Sequence, residues 1–375
     1  IRSHYGAQVK QQLSDWAKAI AEGDNAASGQ AERALGVLRQ SVSVAGLGFN
    51  VMSALMQPLG LTQSVVRVGP GWVAKGVAKF IASPRGTARQ VNEMSAFMAN
   101  RTRTRFRELN ELRNAVRDQS AAKEWLGRHA YWLMLRVQQS VDVPTWWGAY
   151  EKAVSEGHGD ERAIALADQA VIDSQGGGEL KDQAAIERGG PAAKLFTVFY
   201  SFMNTALNLG VVQGATASTP AKRAKLAADM LLLYTVPALL GSLLKDALTP
   251  GDGGDDALEK LLRKLGAEQL SYILGLFVVV REFSDAAKIV TGAEGARDYQ
   301  GPAGVRVVGD ALKALKQVEQ GEFDDSLRKA LVNLIGDLAG LPAAQANRTI
   351  TGAQALNEGK TQNPAALVFG FQEAK

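Results

Sequence analysis

The sequence predicts an all-α protein, a multi-helix array of long and short helices broken by Gly and Pro. Three observations predict it. Apolar residues recur at helical spacing over long stretches, as in Val9-Leu13-Trp16-Ile20, Val91-Met94-Phe97-Met98 and Trp125-Ala130-Leu133-Val137. Strand signals are almost missing: β-branched alternating runs are few, and no Asn-Gly or Asp-Gly turn lies between such runs. Eleven prolines fall mostly where a helix should start or stop, since Pro is tolerated in a first turn and breaks an interior one.

The elements follow in chain order. The stripe from Val9 to Ile20 places a helix at 5–22, and apolar spacing continues through 28–40 and 42–56. Pro58 and Pro70 separate 42–56, 60–68 and 71–82, and Pro84 precedes a long helix at 86–120. A helix at 121–141 carries Trp125 and Trp132, and Pro144 opens the next at 144–157. Asp160 is placed as the N-cap of a helix at 160–174. The run Ser174-Gln175-Gly176-Gly177-Gly178 and the polar residues to Gly190 read as the main linker. Pro191 and Pro220 begin helices at 191–215 and 219–248, the second kinked at Pro237. Beyond the break Pro250-Gly251-Asp252-Gly253-Gly254-Asp255-Asp256 come helices at 254–265, 267–291, 303–319, 323–339 and 342–357. The chain thus divides into a basic, Trp-containing domain at 1–175, a linker at 176–190 and an apolar helical domain at 191–375 with an acidic loop at 250–256.

Composition removes several chemistries. None of the 375 residues is Cys, which excludes disulfides, thiolate metal sites and thiol nucleophiles. The three histidines, His4, His129 and His158, lie too far apart in sequence for a compact HExxH site. Neither a phosphate-binding GxxxxGK[ST] loop nor GxSxG nor GxGxxG is present. The loop with Asp252, Asp255 and Asp256 lacks the spacing and closing Glu of a calcium loop. No catalytic residue, metal or cofactor is expected. Residue 1 is Ile, and with neither an initiator Met nor a signal peptide the chain reads as part of a longer polypeptide.

Charge is unevenly placed. The net +4 conceals +9 over residues 1–150 and −5 over 151–375. From Arg67 to Arg107 there are nine basic residues and one acid, Glu93. Arg101, Arg103, Arg105 and Arg107 form like-charged i,i+4 pairs, which disfavour a helix unless an anion or acidic partner offsets them. Two readings stand: a face turned to DNA phosphates, or a solvated face paired with Glu108, Glu111 and Asp118.

Apolar runs raise a second pair of alternatives. Residues 40–66 and 195–221 are each uncharged for 27 residues, and Met230–Leu244 and Gln269–Val280 for 15 and 12. A spanning helix needs about 20 predominantly apolar residues, and here the longer runs are diluted with Asn, Gln, Ser and Gly. The segments around Leu232-Leu233 and Phe277-Val278-Val279 are apolar on all faces, so they belong to a core, an oligomer interface or lipid. Ala206, Gly210 and Gly214 recur at every fourth position and permit close helix packing. All six tryptophans lie in the first 150 residues; core packing accounts for Trp16 and Trp132, whereas one of the adjacent Trp146 and Trp147 is expected to meet a partner or a membrane.

Three segments together resemble a known family. They are Val143-Pro144-Thr145-Trp146-Trp147-Gly148-Ala149-Tyr150-Glu151-Lys152-Ala153, the helix ending in Asp173-Ser174-Gln175, and Leu195-Phe196-Thr197-Val198-Phe199-Tyr200-Ser201-Phe202-Met203-Asn204-Thr205. They are similar to the C-terminal helical region of large polyvalent proteins of tailed bacteriophages, including the internal virion (ejection) proteins of short-tailed phages, over roughly residues 90–215. The resemblance implies a structural protein packaged in the virion interior, then released into the host periplasm and inner membrane. There it would form an oligomeric conduit for double-stranded DNA with copies of itself and other virion or portal proteins. The alternatives are a soluble nucleic-acid-binding or scaffold module, and a non-catalytic accessory domain of a giant phage enzyme.

Overall fold

The computed structural model describes residues 2–22, 30–104, 125, 129–177, 180–182, 187, 200–251, 303–321 and 323–372. Within these residues the chain is all-α, with helices and no strand. Expected helices at 254–265 and 267–291 lie outside the described residues.

The first half runs α1 (Arg2–Glu22), α2 (Gln30–Leu47), α3 (Val51–Leu55), α4 (Leu61–Val68), α5 (Pro70–Ala82), α6 (Pro84–Met94) and α7 (Ala96–Thr104). It continues with α8 (Trp132–Ser155) and α9 (Asp160–Gln175). The second half contains α10 (Tyr200–Thr216), α11 (Pro220–Met230), α12 (Val236–Leu248), α13 (Ala303–Gln320), α14 (Asp325–Ala339), α15 (Ala343–Asn357) and the short α16 (Ala366–Phe369).

Several boundaries differ from the sequence reading, each for a local reason. The expected gap near residue 41 does not exist; α2 runs through it and ends at Leu47. The bend comes later, where Phe49 takes a left-handed φ of 53° and Asn50 caps α3 by accepting from the Ser53 N–H at 3.0 Å. The long helix expected at 86–120 breaks at Ser95, whose extended backbone separates α6 from α7 and whose hydroxyl accepts from the Met98 N–H at 3.0 Å. Asp160 is not a cap: Gly159 precedes α9, and the Asp160 carboxylate instead accepts from the Tyr150 hydroxyl at 3.0 Å. Burial first, and Asp160 second, push the Tyr150 phenol pKa up.

Pro144 gives the largest departure. Two helices were expected around it, yet α8 passes straight through. Its ring cannot donate to the Ser140 carbonyl, but packing holds the helix intact. Residues 141–149 are buried without interruption, so α8 is the central rod of the domain. Gly76 of α5 and Gly148 of α8 bring the two backbones together: a Cβ on Gly76 would strike the Pro144 carbonyl, and one on Gly148 the Trp72 carbonyl. Around this crossing Val68, Val73, Val91, Met98, Val143, Trp146 and Val171 form the main core.

Elements far apart in sequence meet elsewhere. Leu233, in the turn between α11 and α12, packs with Val66 of α4 and Leu209 of α10. Helix α2 lies against α13, α14 and α15; Val307 joins Leu35, Leu38 and Val42 there. Arg348 donates to the Asn50 side-chain oxygen at 2.8 Å. Packing therefore crosses the expected division at 176–190.

Candidate functional site

Arg101, expected among a phosphate-facing row, points inward. Its guanidinium and the Asp142 carboxylate are both almost wholly buried, with Nε to Oδ2 at 2.9 Å and Nη2 to Oδ1 at 3.4 Å. The same group caps the end of α9, donating to the carbonyls of Gly176 at 2.7 Å and Gln175 at 3.4 Å. A cation is favoured there by the helix dipole and by the unpaired terminal carbonyls. Gln138 donates to Asp142 Oδ1 at 2.9 Å, and Gln175 donates to the Gly60 carbonyl at 2.8 Å and the Ser64 hydroxyl at 3.0 Å. Ser64 and Thr145 share a hydrogen bond of 2.6 Å. This buried network ties α4, α7, α8 and α9 together. The acidic partner that offsets the arginine's charge is thus Asp142, 41 residues away, and not a phosphate. The side chain of Arg103, and all of Arg105 and Arg107, lie outside the described residues.

The Trp pair also departs from expectation. Trp146 and Trp147 are both buried, because the helix that carries them is enclosed by α5 and α9 and an all-round environment has room for adjacent side chains. The Trp146 indole donates to Asp168 at 2.7 Å and stacks on Tyr150 with centroids 5.3 Å apart. Ser95 donates to the same Asp168 oxygen at 2.6 Å. The Trp147 indole donates to Glu151 at 2.5 Å while the Lys79 ammonium sits over its ring at 3.2 Å. Neither is a partner or membrane contact. The reverse holds for Trp16 and Trp132, which are exposed rather than packed in a core; Trp16 donates to the Lys181 carbonyl at 3.1 Å.

The apolar surface begins where α10 meets α11. Ala206 is buried and Gly210 lies under Tyr234, whose hydroxyl donates to the Ala206 carbonyl at 3.1 Å. Gly214 faces open space. Leu233 is fully buried and Leu232 partly so, so Leu233 is not a surface contact; Phe277 and Val279 lie outside the described residues. The large apolar side chains left exposed on these helices are Leu231, Leu240 and Leu243, and on α10 Val211 and Val212.

Helix α11, a π-turn at Leu231–Thr235 and α12 form one rod of 29 residues, Pro220–Leu248. The π-turn has a cause in the sequence. A proline at 237 would collide with the carbonyl four residues back, and the wider turn displaces that carbonyl. Among the described residues this is one helix long and apolar enough to cross a membrane, and only 17% of its most apolar stretch is buried. The first uncharged run differs: it bends by 77° between α2 and α3, and 40–46 is entirely buried.

Among the described residues no group of three His, Asp or Glu side chains is placed to hold a metal. Comparison with known protein families, with curated proteins and with solved structures finds no match.

Proposed function

We propose that this chain is a structural, non-catalytic assembly module that works at a lipid surface, in the manner of a phage internal virion protein. It is packaged in the capsid, then joins copies of itself and other virion proteins in an oligomeric conduit carrying double-stranded DNA across the host envelope. One observation carries the reading: the Pro220–Leu248 rod is spanning in length and composition, yet among the described residues only 17% of its most apolar stretch is buried. A core helix of that character would be enclosed on all sides, as residues 141–149 of α8 are. Leaving leucines such as Leu231, Leu240 and Leu243 in water forfeits about 1.5–3 kcal/mol for each full side chain that lipid or a partner would bury. The burial of Arg101 weakens the competing reading of a nucleic-acid-binding module built on that residue.

Flotation of the full chain with phospholipid vesicles tests this. The chain is expected to float with lipid, and L240D/L243D to remain behind. A wild-type chain that stays in solution with both neutral and anionic vesicles overturns the lipid role.

A further inference from the structure

The end of the α10–α11 hairpin carries an exposed surface that is basic, free of acidic residues and edged by two valines. From Val211 to Ala228 every residue is exposed except Gln213, Ala217 and Leu226, which are half-buried. Val211 and Val212 are 62% and 58% exposed. No acidic residue occurs between Lys194 and Asp229, while Lys222, Arg223 and Lys225 follow the turn. Most of the remaining positions are Gly, Ala, Ser or Thr.

The hairpin is anchored at its base and well formed at its tip. At the base, Leu209 and Leu233 are buried against Val66, and buried Asp229 holds Lys225 at 2.5 Å. At the tip, Thr219 caps α11 by accepting from the Lys222 N–H at 3.3 Å, and Pro220 occupies the first helical position. Lys222 and Arg223 are both exposed.

We propose that this tip is the docking element for an anionic phospholipid surface. The two ammonium and guanidinium groups meet lipid phosphates while Val211 and Val212 enter the headgroup boundary. The valines decide for lipid over nucleic acid: they gain nothing beside a phosphate backbone, and the tip has no aromatic ring on which a base would stack. The absence of acidic residues supplies the charge complementarity, since one carboxylate among two or three cations would cancel much of the attraction. The inference rests on the lipid role proposed above and adds to it the headgroup class and the residues that read it.

The test uses the full chain and vesicles of phosphatidylcholine alone or with phosphatidylglycerol. Each Lys or Arg near an anionic surface strengthens binding about fivefold, and Lys225 is already engaged by Asp229. K222Q/R223Q is therefore expected to lose about 25-fold in partitioning to phosphatidylglycerol vesicles, with unchanged circular dichroism. V211S/V212S, which keeps the charge, is expected to lose affinity as well. If both variants bind phosphatidylglycerol vesicles as the wild type does, the tip inference falls while the lipid role stands. The same holds if the wild type shows no preference for phosphatidylglycerol, or if K222Q/R223Q loses duplex-DNA binding but keeps vesicle binding. A wild-type chain that binds no vesicle overturns both.

Discussion

Replacing Arg101 by Met keeps an unbranched apolar stem beside Phe97 but removes the guanidinium, and it is the most informative single change in the fold. Asp142 is then left as a buried carboxylate facing an apolar thioether, and the carbonyls of Gln175 and Gly176 lose their charged donor. Breaking a buried pair from one side costs about 3–5 kcal/mol, because the surviving charge has surrendered its hydration and lost its counter-ion, keeping the Gln138 amide as a neutral donor. Against a whole-domain stability of about 5–15 kcal/mol, that is about three fifths or more of the total at the low end of the range and about a fifth to a third at the high end. Urea denaturation followed by Trp fluorescence reads it directly: with a slope of about 3 kcal/mol per M, the midpoint falls by about 1 M or more. The companion variant R101M/D142L removes both charges at once and should recover part of the loss, since an apolar pair often replaces a buried ion pair without net cost, while the Gln175 and Gly176 carbonyls still lack their charged donor. A midpoint for R101M within about 0.2 M of wild type would refute the reasoning, being under the cost of one ordinary hydrogen bond. So would a double variant less stable than the single one.

Other consequences follow from the same packing. G148A should destabilise by about 1–3 kcal/mol through collision with the Trp72 carbonyl, read as a lowered thermal midpoint. W146F keeps the stacked ring over Tyr150 but deprives Asp168 of an indole donor, and should cost about 1–3 kcal/mol in the same denaturation assay. Asp325 has its carboxyl pKa held down first by the Arg328 hydrogen bond and then by the charges of Arg328 and Lys329. A depressed carboxylate adds stability above its unfolded pKa, and this is lost as pH falls through the folded value. The difference between wild type and D325N should therefore be present at neutral pH and vanish in acid.

The all-α class was legible in the sequence because helical periodicity and the lack of alternating strands are local properties. Helix limits set by Pro at a first turn, as at Pro70, Pro84 and Pro220, were legible for the same reason. Pro144 was not: its effect depends on whether α5 and α9 enclose the helix firmly enough to hold it together. The Trp pair failed likewise, because a rule that adjacent residues face opposite ways assumes a helix with one wet side. For Arg101 the missing information was a partner 41 residues distant. One signal was present, since a lone Asp142 between Val141 and Val143 in an apolar stretch requires a cation. The exposed hairpin tip needed coordinates, because Ala206 and Gly214 look alike in sequence although one is buried beneath Tyr234 and the other stands in open space.

The seat of α2 against α13, α14 and α15 imposes a schedule on synthesis. Its buried face is completed by residues that leave the ribosome about 280 positions later. At about 5–20 residues per second, the gap lasts roughly 15–60 s. During that interval Leu35, Leu38 and Val42 of α2 lack their native partner Val307, while the α4–α9 core can already close on itself. The molecule thus matures from its middle outward, and α2 completes its packing only when the last helices arrive.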